Sequence, residues 1–206
     1  GHGKVDGGKG PVMARIARYV LYMLPGFGAG ALAYLLALRP RRRRLAAGGL
    51  ASGPAREGAV LLFWAYCGGM AVLTLVPQPG YVSAALMGYT APYFDWSGLS
   101  RRVSLIPFSQ LDSLFNILGN IIMFLPFGLF ATLLWRGFCW RRATALSFGI
   151  TAFIECWQLF VGRYFDVDDI IFNALGVFGG WLLGRAVKEL FPLACSRFLP
   201  SSHQEV

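Results

Sequence analysis

Glu155, Gln158, Arg163, Asp166, Asp168, Asp169 and Asn173 lie close together near the C-terminal end of the chain, beside and inside long apolar runs. Carboxylates, carboxamides and a single guanidinium in such surroundings can carry a proton, hold a cation or receive a polar head group. An ionisable side chain at the centre of a membrane helix costs about 2.5–3.5 kcal/mol on insertion scales, so a chain that concentrates several in one hairpin is expected to use them. The plainer reading is that they solvate an interfacial loop.

Spacing predicts which of these groups can meet. Asn116 and Asn120 are four apart and share a helix face, as do Thr151, Glu155 and Gln158. Asp166, Asp169 and Asn173 fall on one face of a helix that begins near Asp166, whereas Asp168 points off it. Free backbone N–H groups and the macrodipole favour negative charge at such a helix start. Capping accounts for Asp166 or Asp169 taken singly, but not for Asn120, Glu155, Gln158 and Asn173 together, which need partners at membrane depth. Arg163 is the available countercharge. The surplus of acids over it leaves room for a proton on Glu155, a divalent cation or a cationic ligand group.

Elements long enough to position these residues follow from composition. The chain is 56% hydrophobic and only 14% charged, with mean hydropathy +0.54. That is too little polar material to coat a water-soluble globule of 206 residues. Five apolar segments can cross about 30 Å of hydrocarbon: residues 19–38, 59–76, 117–135, 143–161 and 170–186. Their continuity, without alternation, excludes a strand barrel and predicts helices. The fold expected is therefore all-α, a polytopic integral membrane protein of about five transmembrane helices. Gly176, Gly180 and Gly184 continue the polar face of the fifth span as small-x-x-x-small steps, which let a neighbouring helix approach closely and offer a route to an oligomer.

Basic residues set the expected orientation. Lys4, Lys9, Arg15, Arg18, Arg101, Arg102 and Arg163 fall on one side of five spans, and the larger remainder of the nineteen Lys and Arg falls on the other. The richer side is expected to be cytoplasmic, with the N-terminus outside, the C-terminus inside and the acidic hairpin on the outer face. The net charge of +9 is accounted for by these topological clusters, and no nucleic-acid partner is expected. The run Arg39 to Arg44 reads as a stop-transfer block leading into a flexible linker, in preference to a specific anionic-lipid site.

The connection from Pro77 to Phe115 carries Tyr81, Tyr89, Tyr93, Phe94 and Trp96, an aromatic density suited to the headgroup level; it is expected to lie along the outer interface, where it would either cover the third to fifth spans or serve as an aromatic belt. Cys67, Cys139, Cys156 and Cys195 are widely spaced and read as free thiols. Residues 1–12 read as an appended leader, with a native start at Met13. The first span could serve as a signal peptide, but its length and the arginines behind it favour a retained anchor.

Phe115 to Phe130, FNILGNIIMFLPFGLF, followed by Ser147 to Gly184, SFGITAFIECWQLFVGRYFDVDDIIFNALGVFGGWLLG, resembles the VanZ-like membrane proteins. Their pattern joins an N-x-x-x-N-x-x-x-F-x-P-x-G helix, an E-x-x-Q helix, a G-R-x-x-D-x-x-D turn and an N-x-x-G helix. Ser104 to Phe108, SLIPF, fits the short external motif that precedes the third span in such proteins. The resemblance divides the chain into an N-terminal span and basic cytoplasmic loop (13–58), a four-helix VanZ-like domain (59–190) and a cytoplasmic tail (191–206).

The resemblance implies a multi-pass protein of the bacterial cytoplasmic membrane. It carries over Asn116, Asn120, Glu155, Gln158, Arg163, Asp166, Asp169 and Asn173 as one ligand-binding set. It also implies a part in reduced susceptibility to the glycopeptide antibiotic teicoplanin. The preferred reading is non-catalytic: an outward-facing polar pocket binds a membrane lipid, a lipid-linked cell-wall precursor or the antibiotic itself. The alternative is a divalent-cation-dependent membrane enzyme acting on a phospholipid or isoprenoid-linked head group, with Glu155 as general base or Glu155, Asp166 and Asp169 as metal ligands.

Overall fold

A computed structural model describes residues 12–76, 103–108, 114–160 and 163–202 of the chain. The aromatic stretch from Tyr81 to Trp96, expected at the interface, lies outside the described residues, as do residues 1–11. Five helices are long and apolar enough to span a membrane: α1 (Val12–Ala47), α2 (Pro54–Leu75), α3 (Leu114–Leu134), α4 (Trp140–Phe160) and α5 (Val167–Leu190). A short α6 (Pro192–Ser196) follows. Four two-residue strands complete the order: β1 (Leu50–Ala51), β2 (Val103–Ser104), β3 (Phe165–Asp166) and β4 (Ser201–Ser202). The protein is thus an all-α, polytopic membrane protein.

One expectation is corrected. The arginine run does not open a flexible linker: α1 is 36 residues long and continues through Pro40 and all of Arg41–Arg44. At about 1.5 Å per residue it is well over the ~30 Å hydrocarbon thickness, so its basic last turns project beyond the apolar zone. The chain then reverses in a tight turn. The Gly48 N–H donates to Leu45 O at 3.0 Å and the Gly49 N–H to Ala46 O at 2.9 Å. Gly49 has φ 70°, a left-handed conformation that costs glycine little. The turn is further held by β1, which pairs antiparallel with β4, so the C-terminal segment is docked to the α1–α2 connection.

The helices associate as close pairs because their contact positions lack side chains. A Cβ on Gly26 would stand 2.3 Å from the Gly68 carbonyl oxygen, and one on Gly30 would stand 2.1 Å from that of Trp64, so α1 and α2 touch backbone to backbone. In the second pair, a Cβ on Gly128 would meet Val177 O at 2.0 Å and one on Gly180 would meet Leu125 O at 2.0 Å. In lipid there is no hydrophobic force to drive helices together, and such close approach supplies the dispersion contacts that replace it. The stripe of Gly176, Gly180 and Gly184 is filled by α3 of the same chain.

Aromatic packing joins the pairs. Phe63 of α2 lies 5.5 Å from Phe127 and 5.8 Å from Phe130 of α3, centroid to centroid. The Tyr66 hydroxyl donates to Met123 O at 2.6 Å. Large side chains elsewhere, such as Leu36, Ile122 and Phe153, are exposed, as a surface facing acyl chains requires.

Candidate functional site

The N-terminal turns of α3 and α5, the C-terminal turns of α2 and α4, and the β2–β3 ladder converge at one end of the bundle. The local reason is the start of α5. Asp166 is its N-cap, with extended φ −129° and ψ 121°, and its side chain accepts from the Asp168 N–H at 2.9 Å. Asp168 and Asp169 occupy the first turn, where the positive end of the macrodipole favours them. Just ahead of the helix, Phe165 and Asp166 pair in parallel with Val103 and Ser104. That ladder brings the SLIPF segment onto the site.

Glu155, on α4, is 1% exposed, and its Oε2 accepts from the Asp166 N–H at 3.1 Å. The carboxylate therefore links α4 to the α5 cap. Asp169 Oδ1 accepts from the Asn120 Nδ2 group, which links α5 to α3. Asn173, one turn deeper on α5, is 3% exposed, and its Oδ1 is buried with no hydrogen-bond partner among the described residues. A buried carbonyl left unpaired costs about 1–3 kcal/mol, so it marks a place where a donor is missing.

The remaining expected members stand further out. Asn116 is exposed at the rim. Gln158 is 5% exposed but turns to α2, where its Nε2 donates to Thr74 O at 3.3 Å. Trp157 Nε1 donates to the neighbouring Leu75 O at 2.8 Å. These two side chains cap carbonyls that the last turn of α2 leaves open. The Arg163 N–H donates to Gln158 O at 2.8 Å and closes the end of α4. No ion pair between its guanidinium and a carboxylate forms among the described residues. The site is thus acceptor-rich, held by backbone amides and one carboxamide.

Asp168, set aside on helical spacing, belongs to the same end of the fold. It is 3% exposed, and its Oδ1 accepts from the Phe108 N–H at 2.5 Å. Phe108 has φ 61°, a conformation rarely adopted without need outside glycine, and this aims its N–H at the carboxylate. The available signal was a third acid in one helical turn, more than capping requires, beside a motif loop with no obvious anchor.

Glu155, Asp166 and Asp169 do not gather into a metal-ligating set: among the described residues no group of three or more His, Cys, Asp or Glu is placed to hold an ion. One oxygen of each is engaged instead with Asp166 N–H, Asp168 N–H and Asn120 respectively. Their arrangement suits a ligand that donates hydrogen bonds better than it suits an inner-sphere cation, which wants several carboxylate oxygens converging at about 2.0–2.6 Å.

Neither curated proteins nor solved structures yield a match to the chain. The family model VanZ/LLP1 matches residues 63–188, a span that begins within α2 and contains all of α3 and α4, the SLIPF segment and nearly all of α5. The three-helix polar site therefore falls wholly inside the matched region, and the chain belongs to the VanZ/LLP1 family.

Proposed function

We propose that this VanZ-like membrane protein binds the polar head group of a lipid or lipid-linked envelope precursor between α3, α4 and α5, and thereby lowers susceptibility to glycopeptide antibiotics such as teicoplanin. The observation that carries the reading is the Oδ1 of Asn173, buried one turn below Asp169 with no hydrogen-bond partner among the described residues. With Asp169 one turn away on α5 and Glu155 of α4 at the cap of the same helix, the missing complement is a donor: an ammonium, amide or hydroxyl group. Head groups of amino-, sugar- and peptide-bearing lipids supply such donors. The excess of basic residues at the opposite end supports an outer-face position for the site. Membership of the family supports the link to teicoplanin.

Expression of the wild type in a susceptible Gram-positive host should raise the teicoplanin minimum inhibitory concentration, and Asn173→Leu and Glu155→Gln should each abolish the rise at equal membrane abundance. An unchanged inhibitory concentration with wild type would sink the resistance role. Comparing lipid masses in the same strains separates binding from catalysis. Identical lipid profiles are expected; a species that accumulates with wild type and vanishes with Glu155→Gln would replace the binder with an enzyme in which Glu155 is the general base.

A further inference from the structure

The opposite end of the bundle carries a second, unrelated polar cluster. Glu57, in the first turn of α2, is the acid about which Arg41, Arg42, Arg44 and Arg56 gather. Its Oε2 accepts from the Tyr34 hydroxyl at 2.5 Å and from Arg41 Nη2, and Arg42 Nε stands 4.0 Å from its Oε1. Oε1 itself accepts no hydrogen bond, so one acid is shared by several guanidinium groups, and no carboxylate lies within ion-pair distance of Arg44 or Arg56 among the described residues.

Arg56 is the exceptional member. It is 5% exposed, its Nη1 donates only to the neutral Ser52 hydroxyl at 3.2 Å, and its Nε has no partner among the described residues. Burying a guanidinium with no carboxylate in direct ion-pair contact is unfavourable, and the adjacent Glu57 is already shared with Arg41 and Arg42. Its position compounds the cost, since the first turn of a helix presents the positive end of the macrodipole. Both features call for an anion at this point.

A cavity of about 330 Å³ opens beside it, lined among others by Arg41, Arg44, Arg56, Val60, Trp64 and Trp135. One wall is cationic and the other apolar and aromatic. We propose that this cavity binds the phosphate-bearing head group of an anionic membrane lipid. The Arg44 and Arg56 guanidinium groups donate to the phosphate oxygens, a geometry that the planar fork matches in pairs. Val60, Trp64 and Trp135 receive the adjoining glycerol and first methylenes. A lipid fits better than a free anion because the apolar wall belongs to membrane-spanning helices and Trp135, 41% exposed, reaches their outer surface. The site shares no residue with the Glu155 end, so it stands or falls independently of the proposed function.

The test uses the whole chain purified in a nonionic detergent and titrated with short-chain phosphatidylglycerol, short-chain phosphatidylcholine or inorganic phosphate, with retained ligand read by native mass spectrometry. Phosphatidylglycerol should bind saturably, phosphatidylcholine should bind at least tenfold more weakly, and phosphate at matched concentration should not displace the lipid. R44Q and R56Q should each weaken phosphatidylglycerol binding about tenfold, the loss expected when one charged hydrogen-bonding partner is removed. R43Q is the control, because Arg43 is exposed and does not line the cavity; it should bind like wild type. Equal retention of the two lipids, displacement by phosphate, or equal weakening by R43Q and R44Q would each overturn the proposal, the last by showing diffuse attraction to the whole basic run. Should R56Q fail to fold, the pair R44Q and R43Q decides, since both side chains are exposed and neither supports packing.

Discussion

The two ends of this bundle treat a buried carboxylate in opposite ways. At the arginine end, Glu57 is enclosed by Tyr34, Arg41 and Arg42, so cations outnumber the acid and α1 is tied to α2. At the other end, Glu155, Asp166, Asp168 and Asp169 face no ion-paired cation among the described residues, and backbone N–H groups and Asn120 hold them. A carboxylate matched by guanidinium groups is a structural joint. Carboxylates held by amides, with an unpaired carbonyl from Asn173 below them, leave acceptor capacity for something else.

Four substitutions sharpen or break that contrast. The largest effect is expected from Glu57→Ala, which strands Arg41 and Arg42 without their acid. Losing one partner of a buried pair costs about 3–5 kcal/mol, so thermal unfolding of the purified protein in detergent should shift sharply downward. Next is Asp168→Ala. It frees the Phe108 N–H and should cost about 1–3 kcal/mol, with amide hydrogen exchange accelerated at residues 103–108 and unchanged in α1 and α2. Glu155→Gln keeps an acceptor for the Asp166 N–H, so its stability should change by less than about 1 kcal/mol while the teicoplanin phenotype is lost. The smallest change in stability is expected from Asn173→Leu: replacing an already unsatisfied carbonyl by an apolar group should be neutral or mildly stabilising, within about 1 kcal/mol, yet abolish the phenotype. If Glu155→Gln and Asn173→Leu prove as destabilising as Glu57→Ala, the acidic end is a structural joint too and the distinction collapses.

Much of the fold was readable along the chain. The five apolar runs announced the five spans because a backbone in lipid must satisfy itself, and a continuous run of that length has one way to do so. Boundaries were less legible: Arg41 to Arg44 lay beyond the expected end of the first span, yet the helix continues through them, with Glu57 of α2 meeting Arg41 and Arg42. In the site, helical spacing grouped residues within each helix, and the contacts of Asp169 with Asn120 and of Glu155 with the α5 cap came from the packing of three helices. Spacing could not show that the Gln158 carboxamide meets an open carbonyl at the end of α2, and it set aside Asp168, whose partner comes from a loop sixty residues earlier in the chain.

From its sequence alone this protein was bound to be helical and membrane-spanning, with an acidic hairpin between two basic-flanked spans, because hydropathy and charge act residue by residue. Helical periodicity also decided which side chains share a face. Only the tertiary structure decided which faces meet. The glycine stripe of α5 is closed by α3, and the carboxylates are divided among backbone amides, a carboxamide and the SLIPF segment. Among the described residues, the same packing leaves the Asn173 Oδ1 without a donor at one end and Arg56 without a direct ion pair at the other. Those two unmet demands arise from the crossing of helices distant in sequence, and no local pattern encodes them.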